Sequence, residues 1–143
     1  MTLSARPPSA LLGGDEVTLL VRATSQWGGP AHASEGLARA MGFEDTSAML
    51  VELAALGRAL RTDTPLEPIE WARVLVATEI AFASDLFGAG TEWRTMTGET
   101  DEATIRTLRA IQRKLGPVLR GFYGGRASLL AGTTGSELDE GKR

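Results

Sequence analysis

The run from Ile69 to Phe87 constrains this chain more than any other stretch. Stepping about 100° per residue puts Trp71, Ala72, Leu75, Val76, Ile80, Phe82, Ala83, Leu86 and Phe87 on one apolar arc that covers about half of a helix surface. Glu70, Arg73 and Asp85 fall on the other side. A helix that apolar has to be covered by other elements, so it is expected at the centre of a helical bundle. One residue breaks the pattern: Glu79 points into the middle of the arc.

The rest of the chain supplies partners for such a helix. The segment DEVTLLVRATSQW opens on Asp15 and Glu16, which suit a helix N-terminus, although its β-branched residues also suit a strand. A second helix is expected from about Ala31 to Met41, started by Pro30 and closed by a left-handed cap at Gly42 with Phe43 packing back. A third runs from Ser47 to about Arg61 behind Asp45 or Thr46 as cap, with Met49, Leu50, Leu53, Leu56, Gly57 and Leu60 on one face. The central helix is expected to begin behind Thr64 and Glu67, which have capping-box spacing, with Pro65 or Pro68 in its first turn. It should stop at Gly88 or Gly90. A fifth starts at Thr100 and carries an apolar stripe of Ile105, Leu108, Ile111, Leu115 and Leu119, which Pro117 should kink or end.

No two segments alternate as paired strands do. The expected fold is all-α: a compact bundle of about five helices around a central apolar helix, with short connections. Residues 14–123 form one domain in this reading. Residues 1–13 and the Gly-, Ser- and Thr-rich residues 124–143 read as flexible ends, since such composition buries too little apolar surface to offset the entropy of ordering. A short docked turn around Leu129 and Leu130 is the one order expected in the tail.

A chain of 143 residues, 43% apolar and 23% charged, can hold such a core without disulfides, and it contains no cysteine. The N-terminus lacks the continuous apolar run of a signal peptide, and no stretch approaches the ~20 apolar residues of a membrane span. The reading is a cytoplasmic protein without membrane partners. The 13 arginines against 2 lysines suggest a GC-rich bacterial genome. The net charge of -3 gives no global attraction to nucleic acid.

Most catalytic chemistry lacks its residues. Without cysteine and with His32 as the single histidine, Cys/His zinc sites, paired Glu-x-x-His di-iron sites and cysteine nucleophiles are excluded. No nucleophile elbow accompanies His32, which reads as a surface or capping residue. GAGTEW, residues 88–93, follows a helix C-terminus, the wrong end for phosphate, and has no Walker lysine. No metal or cofactor is expected.

Three features remain as candidate sites. Glu79 needs an arginine partner, a helix N-terminus or a raised pKa. A structural Glu79–Arg pair is the expectation, and Glu79→Gln should then lower stability markedly. Arg106, Arg109 and Arg113, with Arg120 if the helix continues, cluster beside the stripe of the fifth helix, either as a solvated face paired with nearby acidic residues or as a contact surface for an acidic partner or phosphates. The partner surface favoured combines these arginines with the loop around Trp93, whose ring is expected to be buried and, if exposed, would be the aromatic anchor of that surface.

Residues 35–52, EGLARAMGFEDTSAMLVE, resemble a helix-turn-helix. Ala38 and Gly42 match the small residue and turn glycine, and Leu37, Met41, Phe43 and Val51 match apolar positions. The reading end departs from the motif: Glu44, Asp45, Thr46 and Ser47 stand where base-contacting Arg, Lys, Gln or Asn are needed.

The function expected is therefore non-enzymatic: a protein-binding or adaptor protein, or one that self-associates. The alternatives are a helix-turn-helix DNA-binding regulator and a small-molecule pocket or carboxylate-dependent enzyme centred on Glu79.

Overall fold

The computed structural model describes residues 5–123, the last three by backbone alone. Among them are seven α-helices and no strand: α1 (Pro8–Leu11), α2 (Gly14–Thr24), α3 (Glu35–Ala40), α4 (Thr46–Arg61), α5 (Pro68–Ala83), α6 (Trp93–Thr97) and α7 (Asp101–Tyr123). The fold is an all-α bundle, as the periodicity indicates. The five expected helices are α2, α3, α4, α5 and α7. The tail 124–143, with the turn expected near Leu129 and Leu130, lies outside the described residues.

Local chemistry sets the helix ends. The Glu16 carboxylate accepts the Gly13 amide at 2.7 Å at the start of α2. Ser34 caps α3 through Leu37 N–H, and Asp45 caps α4 through Ala48 N–H. Glu70 turns back to accept the Glu67 amide at 2.9 Å, with Pro68 in the first turn of α5. That pair replaces the Thr64–Glu67 box. Thr100 Oγ1 accepts from Ala103 N–H at the start of α7. Each satisfies an N–H that a helix N-terminus leaves without a partner.

Three boundaries differ from the sequence reading. The second helix starts at Glu35 rather than Ala31, because the preceding residues close a loop. Ala31 N–H bonds Gln26 O, Gly28 N–H bonds Ala31 O, and His32 N–H reaches Phe87 O at 2.8 Å. The central helix ends at Ala83, not Phe87. Ser84 is extended, and the chain folds back until Ala89 N–H bonds Ala81 O at 2.7 Å. Pro117 does not end α7, which runs on to Tyr123. The carbonyl of Arg113, which loses a donor to the proline, belongs to an exposed residue where water can replace it.

The N-terminal segment 1–13, expected to be flexible, is held over its described part. Arg6 and Leu66 exchange backbone hydrogen bonds, both 2.9 Å. Asp63, at φ 57°, accepts from Ser9 N–H and Ser9 Oγ at the start of α1. Pro8 and Leu12 are buried. The composition of residues 1–13 is loose, but these contacts are long-range, and no local pattern announces them.

The core is shared more widely than expected. α5 packs against both α2 and α7, and α2 packs against α4, α5 and α7. Two helices therefore form the centre. Trp71, Val74, Ala77 and Ala81 of α5 meet Leu19, Leu20 and Ala23 of α2 and Leu108, Ile111 and Leu115 of α7 in one buried cluster. α2 and α7 run antiparallel, tied at one end by Glu16–Lys114 (2.8 Å) and at the other by Arg22–Glu99 (2.9 Å). Arg73 fastens α5 to the α3–α4 corner: it pairs with Glu52, donates to Gly42 O, and lies over the Phe43 ring with 5.2 Å to its centroid. Gly42 has the left-handed φ of +96° expected of a cap, and Phe43 packs back into the core.

Candidate functional site

The residues singled out by sequence do not assemble into one site. Glu79 is half-buried, and no arginine among the described residues pairs with it. Gln112 Nε2 donates to its Oε2 at 2.6 Å, and Gln112 Oε1 in turn accepts from Arg109 Nη1 at 2.8 Å. The expected Glu79–Arg pair is thus corrected to a relay from guanidinium through amide to carboxylate. Glu79 lies toward one edge of the buried face of α5, where Val76 is already 38% exposed.

Trp93 is fully buried. Its Nε1 donates to Thr104 Oγ1 at 2.8 Å, and its ring meets Phe82 edge-on with centroids 5.3 Å apart. It is a core residue and takes no part in an outer surface. Arg106, Arg109 and Arg113 are exposed on α7, so the arginine stripe exists, but without the aromatic anchor proposed for it. Acidic groups lie beside it, and Arg113 helps hold Glu16 ionised. His32 is exposed. No cluster of three potential metal ligands occurs among the described residues.

The carboxylates with displaced pKa values have structural explanations. Burial pushes Glu16 up. The Lys114 ammonium, the Gly13 amide and the charges of Lys114 and Arg113 outweigh it, leaving its pKa below the ordinary value. Asp63 is lowered by its two bonds from Ser9, and Asp85 by two from Thr91.

An arrangement that sequence reasoning did not isolate lies on α4. Its inner face, Met49, Leu53, Leu56, Gly57 and Leu60, is buried. Its outer face runs Ser47, Leu50, Val51, Ala54, Ala55 and then Arg58, all exposed. Leu50 is 43% and Val51 72% exposed. A solvated helix face normally carries charge, yet here none appears before Arg58. Glu52, the one acid of the helix, is turned away into its pair with Arg73. Other exposed large apolar residues, Val76, Leu86, Met96 and Ile105, stand on separate elements. Such scattered exposure is ordinary, whereas a contiguous row is informative.

Beside this face runs an open groove of about 380 Å³ between α4 and the loop after α2. Trp27, Leu50 and Leu53 form its apolar part, and Arg58 and Arg61 stand at its charged end. Gly57 keeps the floor low, since a Cβ there would sit 3.3 Å from Thr24 Oγ1. The sequence signal for this face was Leu50 and Val51 themselves. Met49, Leu53, Leu56 and Leu60 already supply the seam α4 needs, and the extra pair makes the arc wider than its contacts with α2, α3 and α5 cover. Leu50, expected in the core stripe, is exposed for that reason.

The helix-turn-helix segment does form two consecutive helices, α3 and α4, joined through Gly42. The N-terminus of α4 is occupied by two carboxylates of the chain itself. Asp45 caps it, and Glu35 accepts from Thr46 N–H at 3.3 Å and Thr46 Oγ1 at 2.6 Å. Comparison with known proteins finds no matching family model, no matching curated protein and no matching solved structure, so the reading rests on this geometry alone.

Proposed function

We propose that this chain is a non-enzymatic protein-binding module whose contact surface is the outer face of α4. The observation that carries the reading is the uncharged row from Ser47 to Ala55, with Leu50 and Val51 in water on an otherwise well-packed helix. Covering these side chains is favourable at about 25 cal/mol per Å² of apolar area, and a neighbouring protein surface can do so. Arginine at the margin of an apolar patch is the composition found at interfaces. A bacterial source and a cytoplasmic location are part of this proposal, and the 13 arginines against 2 lysines support the source.

The test is affinity purification from the native host of the wild-type chain and of a Leu50→Lys/Val51→Lys variant. One stoichiometric protein partner is expected with the first and not with the second. Recovery of the wild type as monomer alone would rule the reading out.

DNA binding through α3 and α4 is the second reading, favoured by their consecutive helix–turn–helix order. Glu35 and Asp45 at the reading end oppose it, since carboxylates repel phosphate. A salt-sensitive shift of duplex DNA, lost on charge reversal at Arg58 and Arg61, would replace protein binding with this alternative.

A further inference from the structure

The groove beside α4 differs in its charge from two other grooves among the described residues. One between α2 and α7 includes Asp15 and Glu99 with Arg22. Another, at the start of α2, includes Asp15 and Glu16 with Arg106 and Lys114. In both, acids answer the cations. The groove along α4 includes Arg58 and Arg61 and no carboxylate at all. Among the described residues neither guanidinium has a carboxylate within ion-pair distance. Two positive charges thus stand together on a chain whose net charge is -3.

Apolar surface and cations are arranged in sequence along the helix. Leu50 comes first, with Val51 exposed beside it outside the trough, the low floor at Gly57 follows, and the two guanidiniums end the trough. The loop wall at Gly28 has φ +89°, a conformation that favours glycine, and the Leu50 side chain reaches across to it: a Cβ at Gly28 would stand 3.4 Å from Leu50 Cδ2. A volume of about 380 Å³, open to solvent, accepts one or two apolar side chains of a segment lying along it rather than an enclosed ligand.

From this complementarity we infer that the partner presents an acidic amphipathic segment. Its apolar side chains cover Leu50 and Val51 and enter the trough, and its carboxylates meet Arg58 and Arg61. The inference rests on the protein-binding reading of α4 and adds the chemistry of the occupant. Arginine favours it, because the planar guanidinium bonds carboxylate in bidentate fashion. The charge contact also sets orientation: the acidic end of the segment lies toward the C-terminus of α4.

The probe is a phage-displayed library of random dodecapeptides selected on the full chain. Enriched peptides are measured by fluorescence anisotropy against the wild type, Arg58→Glu/Arg61→Glu and Leu50→Lys/Val51→Lys. Sedimentation and circular dichroism run on all three proteins, to show that each is folded and of what size. The expected result is enrichment of peptides combining Leu, Ile or Phe with Asp or Glu. Their binding should weaken about tenfold or more on arginine reversal and also on raising salt. Enriched apolar peptides without acids, blocked by the Leu50 and Val51 changes but indifferent to arginine reversal, would overturn the acidic partner and leave protein binding at α4 intact. No peptide distinguishing the wild type from Leu50→Lys/Val51→Lys would overturn both. A wild-type dimer that these two changes dissociate would assign the face to a second copy of the chain and overturn the acidic occupant.

Discussion

Single side chains here often find partners other than the type their chemistry first suggests. Glu79 needed a partner, and the helical wheel showed that need. It did not show that an amide would meet it. Gln112 accepts from Arg109 and donates to Glu79, so the guanidinium acts at one remove. A glutamine at 79 keeps an acceptor for Gln112 Nε2. Glu79→Gln is therefore expected to cost no more than about 1 kcal/mol, against the ~3–5 kcal/mol of breaking a buried ion pair. Thermal melts of the variant decide between the two. The tryptophans make a second contrast. Trp93 Nε1 bonds Thr104 Oγ1, whereas Trp71 Nε1 is buried with no partner among the described residues. Both rings are fully buried. Replacing each with phenylalanine leaves a comparable volume loss, but only Trp93→Phe breaks a bond and strands a threonine hydroxyl's acceptor role. It should be the more destabilising of the two by about 1 kcal/mol in denaturant titration.

Helices were legible in proportion to how locally they are set. Caps at Asp45 and Gly42 and the acidic first turns of α2 and α7 follow from nearest neighbours, and they stand where the pattern put them. The end of α5 was not readable, because Phe87 continues the apolar pattern while the chain has already turned. The reason lies at Gly88, where a Cβ would fall 2.1 Å from Ile80 O and 2.6 Å from Ala81 O. The backbone passes over the helix end too closely for any side chain. Gly88→Ala should destabilise by about 3 kcal/mol or more, measured by urea unfolding, as the 84–89 turn is forced off the helix. The face of α4 gives the opposite expectation. Leu50→Lys/Val51→Lys touches only exposed side chains and should leave stability within about 0.5 kcal/mol. An unchanged melting curve is what makes that variant a clean probe of binding. A marked loss of stability would mean that these residues serve the fold.

Across the bundle, charge ties the antiparallel pair α2 and α7 at both ends, and the pH response should show it. Glu16 is held below its ordinary pKa of 4.5, and Asp63 and Asp85 are lowered from 3.8. A lowered folded-state pKa means that the unfolded chain binds protons first. Stability from these groups is complete above the ordinary carboxylate values and is lost as pH falls through the lowered ones. Melting temperature should thus hold as pH falls toward 4.5 and decline below it. Lys114→Met removes the bond at 2.8 Å that lowers Glu16 while its burial remains. The Glu16 pKa should rise toward or past its unfolded value, so the variant should be less stable at neutral pH and its loss of stability below pH 4.5 should be smaller than in the wild type.

Periodicity and capping alone made this an all-α chain with an apolar fourth segment, because a helix satisfies its own backbone and leaves its face written at intervals of three and four residues. Residue types alone also removed cysteine chemistry, since no arrangement can supply an absent thiolate. Which apolar residues end up in water is a different kind of fact. Leu50 and Val51 look like core in one dimension, and Trp93 looks equally able to serve core or surface. The outcome depended on where the neighbours of each helix sit: α2 is enclosed by α4, α5 and α7, while α2, α3 and α5 meet α4 without covering its outer face. That division comes from packing between segments distant in the chain, and local sequence carries no record of it.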